Sequence, residues 1–145
     1  MSHIAQYTTK IVMPWTMSEA MRQRDPVWRL LREAVELTAE EMGGRVVPYI
    51  IDYYNAATDC DFGIVTPEFR RGVGIQVQPG TGEVRFLYDD YGGYKLQALK
   101  VCERIQQNYA SLAVTRALQA LNYEVEVTEE RDDDGARRVT VRGVS

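Results

Sequence analysis

Histidine is almost missing from this chain: there is one, His3. Ser-His-Asp triads, Cys-His pairs and His-rich metal sites all need an imidazole held in a packed site, and none is on offer. Cysteine is scarce as well. Cys60 lies between two aspartates and Cys102 on the apolar stripe of a helix, so two unpaired thiols in a reducing compartment are expected and no zinc site. Positive charge is not in surplus: 17 Lys+Arg stand against 21 Asp+Glu, a formal net charge of −4. A nucleic-acid-binding surface is therefore not expected. No long hydrophobic run occurs. The stretch from Arg45 to Ile51 is interrupted by Pro48 and falls far short of the ~20 apolar residues a membrane-spanning helix needs. A GxxxxGK[ST] loop is absent too; Gly72-Val73-Gly74 reads as strand and opens no helix, so it makes no phosphate cradle. Met1 to Gln6 carries neither the basic nor the apolar region of a secretory leader, and a cytoplasmic protein is expected.

What is present describes an ordinary folded domain. The 145 residues are 45% apolar and 26% charged, which suits one α+β domain over 1–145 with a core of its own. Tyr7 to Met13 is β-branched, stops at Pro14 and reads as a strand. Thr16-Met17-Ser18-Glu19 has the form of a capping box. Asp25-Pro26 interrupts the helix it opens and restarts another. From there Trp28, Leu31, Val35, Thr38 and Met42 recur at helical spacing, and Gly43-Gly44 ends the run. Val46 to Tyr54 and Asp61 to Thr66 read as strands. Gly72 to Gln78 and Glu83 to Tyr88 alternate with period two around Pro79-Gly80-Thr81-Gly82, the pattern of a hairpin. A second helix is expected from Tyr94 to Leu121, with Leu99, Cys102, Ile105, Tyr109, Leu112, Ala113, Ala117 and Leu121 on its buried stripe. Tyr123 to Glu129 and Arg138 to Arg142 alternate around Asp132-Asp133-Asp134-Gly135 and form a further hairpin with a charged outer face. The order is β-α-β-β-β-β-α-β-β. Strands in runs, not alternating singly with helices, imply a two-layer fold: a mainly antiparallel sheet with two long helices on one face.

Three groups of residues are candidates for function. Tyrosine is over-represented, nine against three phenylalanines. Tyr49, Tyr53 and Tyr54 are expected on one strand, and Tyr88, Tyr91 and Tyr94 around Gly92-Gly93, with Arg70-Arg71 near them. Tyrosine joins a large apolar ring to a polar tip, and arginine reads carboxylates and phosphates with two parallel donors. Tyr53, Tyr54, Arg70, Arg71, Tyr88, Tyr91 and Tyr94 are thus the candidate recognition surface. Second, Asp59, Asp61, Asp89 and Asp90 would hold a divalent cation if their loops converged. Third, the Asp132–Asp134 run is an acidic hairpin turn.

Met1-Ser2-His3 before a Thr-rich strand, Asp61-Phe62-Gly63-Ile64 in the centre, and a C-terminal third carrying Ile105, Gln107, Tyr109, Ala110, then Tyr123-Glu124-Val125, Asp134-Gly135 and Arg138 to Val141, together resemble a known family. It is the uncharacterised hypothetical chloroplast reading-frame proteins of plastids and cyanobacteria, with relatives in other bacteria and in phages. The resemblance implies a small accessory protein without established enzymatic activity, partnered in some members by a ring-forming ATPase. The expectation is a non-catalytic interaction or regulatory protein that needs no cofactor and binds another protein through the tyrosine and arginine surface. The alternative is a binder of a small anionic ligand such as a nucleotide, with Arg70 and Arg71 on the anion and a tyrosine stacked on a base. Monomer and dimer stay equally open.

Overall fold

The computed structural model describes residues 4–15 and 18–144. The order is β1 (Ala5–Val12), α1 (Glu19–Arg24), α2 (Pro26–Glu41), β2 (Arg45–Ile51), β3 (Ala57–Val65), β4 (Val73–Val77), β5 (Glu83–Tyr88), α3 (Lys95–Ala120), β6 (Glu124–Arg131) and β7 (Arg137–Val144). β1 to β5 form an antiparallel sheet in the order β1-β5-β4-β3-β2, and β6 and β7 form a separate two-stranded sheet. This is the expected α+β arrangement, with the C-terminal hairpin detached from the main sheet. The reason is length. α3 has 26 residues, about 40 Å at 1.5 Å per residue, and it carries the chain past the edge of the sheet before β6 begins.

The helix ends follow from local chemistry. The Asp25 carboxylate accepts from Val27 N (2.8 Å) and Trp28 N (3.2 Å) at the start of α2, and Pro26 takes the first helical position, where a missing N–H costs nothing. The expected capping box falls partly on Thr16 and Met17, outside the described residues; Ser18 is the N-cap of α1. Left-handed Gly43 ends α2 and left-handed Asn122 follows α3.

Val73, Ile75 and Val77 of β4 and Val84, Phe86 and Tyr88 of β5 point to one face of the sheet. There they meet Trp28, Leu31 and Val35 of α2 and Ala98, Val101, Cys102 and Ile105 of α3 in a continuous core. Both long helices therefore cover the same face and lie against each other. The predicted stripe of α3 needs one correction. Burial runs only as far as Asn108; Leu112 and Ala113 are half-buried, and Ala117 and Leu121 are exposed. Helical spacing reports a face, whereas the sheet beneath that face ends sooner than the helix does.

The two edge strands, β1 and β2, are irregular. The register of β1 against β5 shifts between Thr8 and Val12, and that of β2 against β3 shifts between Val47 and Tyr49, around Pro48. Such interruptions discourage further strands from adding to an open edge. Among the described residues, no helix is long and apolar enough to cross a membrane.

Candidate functional site

Four of the five candidate tyrosines meet around one arginine, held from below by a buried acid. Asp89 follows the last residue of β5 and is completely buried. Its Oδ2 accepts from Tyr53 N (2.8 Å) and its Oδ1 from Tyr91 N (3.0 Å). Arg71 Nη1 lies 3.8 Å from Asp89 Oδ1 and donates to the carbonyls of Asp89 (3.1 Å) and Tyr91 (2.6 Å). A buried carboxylate is tolerable when it is paired and hydrogen-bonded in this way. The consequence is mechanical: one side chain fixes the turn after β2 and the loop before α3 to each other.

The guanidinium of Arg71 lies between two rings, 5.4 Å from the centroid of Tyr53 and 5.1 Å from that of Tyr94. Tyr53 also meets Tyr91 (4.8 Å, 65°) and Tyr54 (5.2 Å, 84°) edge to face. Edge-to-face contact is the preferred arrangement of aromatic pairs, so the rings order one another. Even so, Tyr53, Tyr54, Tyr91 and Tyr94 are 51, 67, 45 and 41% exposed. Four ordered rings thus face solvent together. Beside them, Pro67, Glu68, Phe69, Arg70, Arg71 and Tyr94 line an open depression of about 360 Å³.

Three expectations change. Tyr53 and Tyr54 are not on the strand with Tyr49. They lie in a turn, because Asp52 Oδ1 accepts from Tyr54 N (2.8 Å) and Ala56 N (2.9 Å) and closes the backbone on itself, with Asn55 left-handed at φ 63°. Tyr88 does not belong to the surface. Alternation along β5 turns it inward with Val84 and Phe86, and it is 5% exposed. Arg70 and Arg71 differ in setting: Arg71 spends Nη1 on two backbone carbonyls and lies beside Asp89, while Arg70 is exposed.

Two of the four aspartates expected to hold a cation, Asp61 and Asp89, are engaged elsewhere. Asp61 accepts from Val77 N (2.8 Å) and pairs with Arg22 (3.4 Å), which in turn lies over the Trp15 and Trp28 rings. Asp89 is the latch already described. Among the described residues no group of three His, Cys, Asp or Glu side chains is placed to hold a metal ion. In the acidic turn, Asp132 Oδ1 accepts from Asp134 N and Ala136 N.

Both cysteines are free. Burial pushes the Cys60 thiol from an ordinary 9.0 up to about 11, and burial pushes Cys102 up to about 12. Burial also raises Tyr88 and Tyr109. Groups raised in the folded state keep their protons while the unfolded chain loses them, so their contribution to stability is complete below the unfolded value and fades as pH climbs through the folded one. Stability is therefore expected to decline from about pH 9 toward 12, and both thiols to alkylate slowly in native protein at about pH 8. A urea midpoint at about pH 10.5 equal to that at pH 8 would refute the first expectation.

One cluster had no counterpart in the reading of the sequence. Asn108, 2% exposed on α3, donates to Thr38 Oγ1 (3.0 Å) and Glu41 Oε1 (2.7 Å) on α2. Arg137 of β7 donates to Asn108 (3.2 Å), Gln107 (3.3 Å), Glu129 (2.9 Å) and Glu41 (3.4 Å). Arg104 also pairs with Glu41 (3.4 Å). Hydrogen bonding to Arg137 holds the Glu129 carboxyl below its ordinary range. The network fastens the C-terminal hairpin to both helices. A cavity of about 510 Å³ beside it is lined by Lys100, Arg104, Arg131 and Arg137 together with Glu103 and Asp134. Glu41 and Glu129 already answer three of these cations, Arg104, Arg131 and Arg137, which leaves little charge for an anion. The available signal was a polar residue, Asn108, between the apolar positions Ile105 and Leu112.

Comparison of the chain with protein-family models, with curated proteins and with solved structures returned no match.

Proposed function

We propose that the chain is a non-catalytic interaction protein that docks a partner protein on the apron of Tyr53, Tyr54, Tyr91 and Tyr94. The observation carrying this reading is the fixed presentation of four half-exposed rings over the Arg71–Asp89 pair. Rigid tyrosines offer large contact area with little rotamer entropy to lose. A small-anion site would need converging free donors in an enclosed cavity. Here Arg71 Nη1 is taken by two carbonyls and the depression beside Tyr94 is open. Arg70, exposed at the rim, suits a carboxylate on the partner, so the complementary surface is apolar at its centre with an acidic margin. The resemblance to the plastid and cyanobacterial family makes a ring-forming ATPase the first partner to try.

The test compares partners recovered from native lysate by wild type, by Tyr53→Ala/Tyr91→Ala and by Thr128→Ala on the far hairpin. The double substitution is expected to weaken capture at least about tenfold, as loss of two anchor residues does at a typical interface, while Thr128→Ala leaves it intact. Equal recovery of the same partner by wild type and the double variant would dismiss the apron as the docking surface.

A further inference from the structure

Between Glu124 and Val144 the chain offers five valines and one alanine against eleven charged side chains, too little apolar surface to anchor a hairpin by burial. No residue of β6 or β7 is buried, and the core of the molecule contains none of them. The strands pack on α3, where Val139 and Val141, both half-buried, lie across a groove from Ala110 and Val114. The hydrophobic contribution scales with the area removed from water, so this seam holds the hairpin weakly. The rest of the attachment is polar and passes through one residue. Among the described residues, every hydrogen bond between these strands and the helices involves Arg137. Its guanidinium donates to Glu41, Gln107 and Asn108, and its carbonyl accepts from Gln107 Nε2 (3.2 Å).

Each half of this clasp is complete without the other. On the helices, Asn108 keeps Thr38 and Glu41 as acceptors, and Glu41 keeps Arg104. On the hairpin, Arg137 keeps Glu129, Arg142 keeps Glu126, and Asp132 closes the turn through Asp134 N and Ala136 N. The Asn108 oxygen that loses Arg137 gains the water that takes the arginine's place. Separation therefore leaves no charge buried and unpaired, which is the cost that normally keeps a buried ion pair shut. We infer that β6 and β7 form a detachable strap. It leaves α3 and the Glu41 end of α2 as a unit while the five-stranded sheet and its helices stay folded, and Arg137 sets the balance between docked and free. Such local opening is a step separate from global unfolding, drawn from the part of the structure with the fewest buried apolar contacts.

Thiol labelling tests this. Val141→Cys places a thiol at the seam with α3, where a bulky maleimide reports opening, and Cys102, 2% exposed in the core, reports global unfolding. Glu41→Gln keeps an acceptor for Asn108 and leaves every pair inside the hairpin intact, but drops the charge that faces Arg137. In the Val141→Cys background it is expected to speed labelling of the seam at least about tenfold, the effect of losing a charged hydrogen bond, with Cys102 unchanged. Arg137→Met should do the same. Arg142→Met removes a cross-strand pair that does not reach the helices and should change the rate at most about twofold. Amide exchange repeats the comparison without the added cysteine: β6 and β7 should exchange at least about tenfold faster in Glu41→Gln than in wild type, and β4 and β5 at the same rate. The inference is overturned by a seam rate unchanged in Glu41→Gln or in Arg137→Met, by an equal effect of Arg142→Met, or by Cys102 reacting in step with the seam.

Discussion

Asp89→Ala is expected to destabilise the fold by about 3–5 kcal/mol, the usual consequence of removing one partner from a buried ion pair. The carboxylate is completely buried and serves Tyr53 N, Tyr91 N and the Arg71 guanidinium together. Without it two amides and a cation lose their partner in a place water reaches poorly. Denaturant unfolding gives the total, and amide exchange at Tyr53 and Tyr91 gives its location, since those two amides should lose protection first. Asp89→Asn keeps the shape and an acceptor oxygen but drops the charge, so it should fall between alanine and wild type. A loss under about 1 kcal/mol for Asp89→Ala, the size of an ordinary surface change, would show that the tyrosine apron holds together without the latch.

Gly82→Ala is the second large effect. Gly82 closes the β4–β5 turn at φ 75°, and a Cβ there would strike the Met13 carbonyl oxygen. The obstacle is backbone, and the same two residues are joined by a hydrogen bond from Met13 N to Gly82 O (2.7 Å). Left-handed strain alone costs about 1–2 kcal/mol, and displacing the end of β1 brings the expected total to about 3–4 kcal/mol. Gly80 is the internal control. It has φ 82° in the same turn but open space around its missing Cβ, so Gly80→Ala should cost only the strain of about 1–2 kcal/mol. Equal melting temperatures for the two variants would refute the role given to the Met13 contact.

The parts of the fold written in local chemistry were legible in the sequence. Pro79-Gly80-Thr81-Gly82 between two alternating runs specified a hairpin, and Asp25-Pro26 specified a helix break, because turn and cap residues act over four or five positions. The error at Tyr53 and Tyr54 has the same scale in reverse. Asp52 folds the chain back through its own side chain, an aspartate turn that competes with a strand of favourable composition. The tyrosine cluster was half legible: composition singled out the right loops, and the period-two alternation that places Tyr88 in the core with Val84 and Phe86 was itself in the sequence, against the grouping of Tyr88 with Tyr91 and Tyr94. Asp89 and Arg71 were noticed as a possible metal ligand and a possible anion reader. Their actual pairing joins residues from separate loops, and nothing local encodes it. The Asn108–Arg137 network lay further out of reach, since it links α2, α3 and β7 across the whole chain.

The place of β1 in the sheet also sets an order of events in time. Its hydrogen-bonding partner is β5, and Thr9 donates to the Val84 carbonyl, 75 positions later. During synthesis β1 emerges before the strand it pairs with. At roughly 5–20 residues per second it waits about 4–15 s before Val84 has been made, and longer until that residue clears the ribosome. Of its eight residues, Ala5 to Val12, only Thr9 is buried in the finished fold. A strand that buries so little of itself can wait in water without seeking an early, wrong companion. The hairpin of β4 and β5, whose contacts are local, is then expected to form first and serve as the template on which the earlier-made β1 is laid last.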